Sequence, residues 1–155
     1  NIMNKLGTLV AVVLVLLGLT GNGFTAEKRG TEKEAEQMVK KAIAFYKAKG
    51  QDAAFAEINN TKGQFTDRDL YVFVYDINGK VMAHGQNLKM IGKDLIDMKD
   101  ADGKMFVKER VEIAKTKGSG WQEYKFTDPL TKKIDDKRAY IEKHGDLIFG
   151  CGVYK

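Results

Sequence analysis

Proline and cysteine are almost missing from this chain, which has one of each, Pro129 and Cys151, and only two histidines, His84 and His144. A lone cysteine excludes an internal disulfide, so stability has to come from packing. With no CxxC, CxxCH or HExxH spacing, nothing organises zinc or haem, and no cofactor is implied. A strained serine elbow and a cysteine–histidine pairing are also missing, so the chain reads as a protein without catalytic machinery. There is no basic arm either. The 26 Lys and Arg residues interleave with 21 Asp and Glu for a net charge of +5, which makes a solvated surface rather than a nucleic-acid footprint. A single proline, with 43% hydrophobic and 30% charged residues, excludes disordered and collagen-like chains. At 155 residues the expectation is one domain with a core of its own.

One long apolar run is present, over residues 6–19, preceded by Met3, Asn4 and Lys5. Its length of about 14 residues falls short of the roughly 20 needed to cross a bilayer, so residues 3–26 read as a secretory signal peptide with Ala26 at the cleavage point. If retained, the same segment would be an apolar helix that lipid or neighbouring copies must cover.

In the remaining chain, Thr31-Glu32-Lys33-Glu34 has the form of a capping box. The spacing of Ala35, Met38, Val39, Ala42, Ile43 and Tyr46 predicts a one-sided helix ending at Gly50, with a second short helix over residues 52–58. Residues 70–75 (Leu-Tyr-Val-Phe-Val-Tyr) predict a strand buried on both faces. Asn78-Gly79 turns it back into a strand over 81–84. Residues 85–102 have neither period and predict a loop with one helical turn near Leu95. Phe106, Val107, Arg110, Val111 and Ala114 predict a helix closed by Gly118. Strands over 121–126, 138–143 and 147–154 complete an α+β fold. It is a five-stranded antiparallel PAS-like sheet with a long N-terminal helix and a crossover helix on one side.

Asp100, Asp102, Gly103 and Glu109 fall at positions three, five, six and twelve of a calcium-loop pattern, with Asp97 nearby. Position one is Met98, which offers a hard cation no oxygen, so no metal site is expected. Strand residues that converge on one concavity make a better site, and the candidates are Tyr75, His84, Trp121, Tyr124, Arg138 and Tyr140. Arg138 would hold a small carboxylate with two parallel donors, and His84 and the tyrosine hydroxyls would complete its hydrogen bonds. Alternation sets a condition. Trp121 and Tyr124 have opposite parity, so both point inward only if a bulge turns the strand.

Four groups of residues arrive together in order: the hairpin from Leu70 through Asp-Ile-Asn-Gly to Gly85; Ile91-Gly-Lys-Asp-Leu with Asp100-Ala-Asp-Gly-Lys; Gly118-Ser-Gly-Trp-Gln-Glu-Tyr; and Gly150-Cys-Gly-Val-Tyr. In these the chain resembles the single Cache domain family over nearly everything after Glu32. The resemblance implies an extracytoplasmic, non-catalytic sensor module that binds a small organic acid or related metabolite above a PAS-like sheet. Members that signal usually continue into a membrane helix and an output module, whereas this sequence stops at Lys155. The expectation is therefore a stand-alone exported binder, periplasmic or secreted, that works with a membrane signalling partner. The alternative is an assembly subunit that self-associates through a retained N-terminal helix.

Overall fold

A computed structural model describes residues 28–155, and the expected export segment over 3–26 lies outside the described residues. The first helix, α1 (Glu32–Lys49), starts at the expected capping box. The Thr31 hydroxyl accepts from the Glu34 N–H at 3.2 Å, and the Glu34 carboxylate accepts from the Thr31 N–H at 2.7 Å. Gly50, at φ 85°, ends it and leads directly into α2 (Gln51–Asn59).

The predicted strand over 70–75 is split. Arg68 adopts a left-handed φ of 56° and folds β1 (Thr66–Asp67) against β2 (Leu70–Tyr71) as a separate two-stranded sheet. The N–H of Val72 then donates to the Phe65 carbonyl, so the main sheet begins only at β3 (Phe73–Asp76), which pairs with β4 (Val81–His84). The segment over 85–102 is the predicted loop, but its helical turn is a 3-10 turn at Leu88–Met90 rather than near Leu95. After α3 (Phe106–Lys117) come β5 (Ser119–Thr127), β6 (Ile134–His144) and β7 (Leu147–Tyr154). The strand order β4-β3-β7-β6-β5 is antiparallel throughout.

The expectation of both helices on one side needs correcting. Strand β7 is buried along its whole length, and on β6 Ala139, Tyr140 and Ile141 are buried in succession, so the sheet needs a cover on each face. Helix α1, with α2, packs on the face carrying Val74, Ala83, Tyr140, Phe149 and Cys151. Helix α3 packs on the other face, against Phe73, Tyr75, Ala139, Ile141 and Ile148. The two buried clusters are therefore separated by the sheet itself.

Candidate ligand site

The face under α3 holds two buried cations. Arg110 projects from the apolar stripe of α3, beside Phe106, Val107, Val111 and Ala114, and is 1% exposed. Its guanidinium stands 4.2 Å from the ring centre of Phe73, 4.6 Å from Tyr75 and 5.3 Å from Tyr124. Nε donates to the amide oxygen of Gln122 at 2.8 Å. The Gln122 amide nitrogen donates in turn to the Phe106 carbonyl, which ties the guanidinium to the start of α3.

Lys137, on β6, is the second cation, also 1% exposed. Its Nζ lies 4.1 Å from the ring centre of Tyr71 and 5.0 Å from that of Tyr154, with Phe73, Phe126 and Tyr124 completing a box of rings. Burial away from water, with the Arg110 charge nearby, pulls its pKa down to about 7. Among the described residues, neither cation forms an ion pair with a carboxylate. Uncompensated buried charge is costly, so this face is electrostatically suited to an anion.

The hydroxyls here are ordered. Nζ donates to the Tyr71 oxygen at 2.8 Å, and the Tyr71 and Tyr154 oxygens stand 3.0 Å apart. The Tyr154 hydroxyl donates to the Thr127 carbonyl at 2.7 Å. That carbonyl can only accept and a hydroxyl has one proton, so Tyr71 must be the donor to Tyr154. Burial holds the phenols of Tyr71, Tyr124 and Tyr154 well above the usual tyrosine range, and all three stay neutral. His84 stacks near Tyr71 and Phe73, and its Nδ1 accepts from the N–H groups of Gln86 and Asn87. Burial, then the charges of Lys137 and Arg110, lowers its pKa to about 3, so it is a neutral imidazole with its proton on Nε2.

Of the six residues expected from sequence, the structure brings Tyr75, His84 and Tyr124 together in this cage. It places Trp121, Arg138 and Tyr140 on the opposite face, which corrects the expectation of a single concavity. The β5–β6 register runs unbroken from Ser119 to Thr127, so no bulge brings Trp121 to the side of Tyr124. Arg138 lies over the Trp121 ring and pairs with Glu32 of α1, while Tyr140 donates to Glu142. Sequence reasoning missed Arg110, Lys137, Tyr71 and Tyr154. For Arg110 the signal was a guanidinium on an otherwise apolar helical stripe. For Lys137 it was the pair Gly150 and Gly152, whose missing side chains leave room for Phe73 and Lys137.

The other residues weighed from sequence have structural places. Asp100 accepts from the N–H groups of Asp102 and Lys104 with one oxygen and from the Lys125 N–H with the other, which pins the crossover to β5. Cys151 is buried under α1, where burial pushes its thiol up to about 12 and its sulfur lies 3.9 Å from that of Met38. At the outer edge, a cleft of about 240 Å³ is lined by Tyr124 and Lys137 together with charged residues of the crossover and β5.

The family model for Single Cache domain 2 matches residues 25–154. The chain belongs to that family. This Cache domain is 33% identical over 89 residues to the sensor histidine kinase MctS of Rhizobium johnstonii, covering 56% of this chain and 19% of that protein. It is 31% identical over 90 residues to the methyl-accepting chemotaxis protein McpP of Pseudomonas putida, covering 57% of this chain and 16% of that protein. The chain thus spans less than a fifth of the length of these curated relatives. Among solved structures, a methyl-accepting chemotaxis protein from Vibrio parahaemolyticus superposes with a TM-score of 0.70 at 21% identity, covering 79% of this chain and 86% of that one. A Cache chemosensory domain described for carboxylic acid recognition gives 0.62 at 25% identity, with the same coverage. The α+β fold of this Cache domain is therefore that of sensor domains. Among the described residues no helix is long and apolar enough to cross a membrane.

Proposed function

We propose that this Cache domain is an extracytoplasmic sensor module that captures a small carboxylate in the cage between α3 and the sheet. The reading rests on one observation: Arg110 and Lys137 carry buried positive charge on the same face, and an amide and a phenol, rather than a carboxylate, are their partners. A carboxylate would neutralise that charge. The terminal NH2 groups of Arg110 would hold it, and the rings of Phe73, Tyr75 and Tyr124 would exclude water and make each charge-assisted bond count for more. Tyr71, His84 and Tyr154 form the rest of the lining. Support for a carboxylate also comes from the structural relative whose description is carboxylic acid recognition. Reporting occupancy to a membrane partner is the role suggested by the kinase and chemoreceptor relatives.

The test is a thermal-shift and calorimetric panel of acetate, propionate, lactate and pyruvate. A true ligand at a hundred times its dissociation constant adds about 2.7 kcal/mol of stability. Arg110→Met should weaken binding by about 1.5–3 kcal/mol, the worth of a hydrogen bond to a charged group. A flat response of the native protein to every short carboxylate overturns the reading.

A further inference from the structure

Carboxylate binding needs a cation, but it does not need the particular surroundings of Lys137. The hydrogen-bond direction at this residue matters. Because Tyr71 gives its only proton to Tyr154, it can accept from Nζ but cannot donate to it. When Lys137 is neutral, its lone pair is therefore not tied up by the phenol at 2.8 Å, and the rest of its surroundings are the faces of aromatic rings. Among the described residues no carboxylate pairs with it. The charged and titratable groups around it are Tyr71 and Tyr154 from its own face, Tyr124 on β5, His84 on β4, Arg110 on α3, Cys151 on β7, and the more remote Asp69 and Asp128. A desolvated amine beside a second cation is the arrangement that activates lysine toward carbonyl carbon.

We propose that Lys137 is an imine-forming residue, and that the cage takes 2-oxo acids covalently and reversibly through the carbonyl while Arg110 holds the carboxylate. The proposal rests on the carboxylate reading of the same cage and adds a bond to it. The Nζ lone pair attacks the carbonyl carbon, the carbonyl π pair moves to oxygen, and a nitrogen proton passes to that oxygen to give the carbinolamine. Loss of the hydroxyl with the remaining nitrogen proton gives one imine and one water. No oxidant or reductant enters. Arg110 and Lys137 share two rings, Phe73 and Tyr124, at 4.2 and 5.3 Å from the first ring centre and 5.3 and 5.8 Å from the second, which places both cations at one aromatic cluster, where a 2-oxo acid would present its carboxylate to Arg110 and its carbonyl to Lys137. A cleft lined in part by Lys137 and Tyr124 lies on the solvent side, while Lys137 itself is 1% exposed, so a ligand reaches Nζ only when the side chains packed over it part.

The experiment uses the whole domain at pH 7.5 with glyoxylate, pyruvate and 2-oxobutyrate in turn, each with cyanoborohydride, followed by intact mass and peptide mapping. The expected result with pyruvate is one adduct, heavier by pyruvic acid less one oxygen atom, located at Lys137. It should form at least about tenfold faster than at any other lysine, since each unit of lowered pKa raises the neutral fraction tenfold. Acetate should slow the labelling, and lactate, which has no carbonyl, should give none. Lys137→Met and Lys137→Arg should both lose the adduct. If a 2-oxo acid stabilises the protein against heat but none of the three labels Lys137 ahead of the other lysines, the imine is overturned and the non-covalent reading stands. If no carboxylate stabilises it and no selective label appears, both fail.

Discussion

Gly152 faces the stem of Lys137 so closely that a methyl group on its Cα would stand 2.7 Å from the lysine Cε and 2.8 Å from the Arg138 carbonyl oxygen. Two residues away on the same strand face, a methyl on Gly150 would run into the ring of Phe73. The floor of the cage is thus shaped by side chains that β7 does not have. Gly150→Ala and Gly152→Ala should each destabilise the domain by about 1–3 kcal/mol through overpacking, read from denaturant midpoints. Gly152→Ala should also weaken carboxylate binding, because it displaces Lys137. A fully stable Gly152→Ala protein with native affinity would contradict the placement of that side chain.

The buried amine predicts an unusual dependence on alkaline pH. The unfolded lysine holds its proton up to the ordinary value near 10.5, whereas the folded one releases it near 7. Between these values the unfolded state binds more protons, so the stability of the ligand-free domain should rise with pH in this window. Lys137→Met should remove the rise and be more stable than the native protein at pH 7 by about 1 kcal/mol or more, since it takes away a buried unpaired charge. Carboxylate binding should run the other way, weakening toward tenfold per pH unit above 7 and taking up as much as one proton. Calorimetry in two buffers of different ionisation enthalpy measures that uptake.

His84 governs the acid side. Its folded pKa near 3 lies below the ordinary 6.5, so the unfolded state binds the extra proton as pH falls through that interval and stability is lost. The slope should approach about 1.4 kcal/mol per pH unit between pH 6 and 4.5. Glu34, whose N-cap hydrogen bonds to Thr31 and pairing with Arg68 hold its pKa down to about 2, and the depressed Asp100 and Asp128 add their loss at lower pH. His84→Asn, which keeps an acceptor near Nδ1 for the Gln86 and Asn87 N–H groups, should flatten the upper part of this limb in melting curves taken across pH.

Arg29 closes the domain at its N-terminal edge by reaching two buried carboxylates, Asp69 at 3.5 Å and Asp128 at 2.6 Å. The second is a short contact between a guanidinium nitrogen and a fully buried carboxylate oxygen. Burial opposes ionisation of Asp128, and the Arg29 guanidinium with the Leu130 N–H outweighs it. Arg29→Met should cost about 3 kcal/mol, because it strands buried negative charge. Chemical denaturation at pH 7 checks this, and a loss below about 0.5 kcal/mol, typical of surface substitutions, would contradict it.

Much of the architecture was legible in the chain because local rules agree with the global fold. The Thr31 box and the apolar stripe after it place α1, Asn78-Gly79 places the β3–β4 turn, and β-branched and aromatic runs mark the strands. The division of the 70–75 run was not legible, since it depends on Arg68 at positive φ and on a hydrogen bond from Val72 to Phe65. The site was half legible. Aromatic strand residues were singled out, but parity along β5 and β6 tells only that Trp121 and Tyr124 differ, and not which of them faces α3.

By itself, the sequence determined the order and type of the elements and the family, because helix caps, turns and residue periodicity act over a few neighbours along the chain. Tertiary structure alone decided which face of the sheet became the cage, and with it the exchange of Arg138 for Arg110 and Lys137 as the buried cations. That choice depends on which helix covers which face and on the room left by Gly150 and Gly152, contacts between residues far apart in the chain that no local pattern encodes.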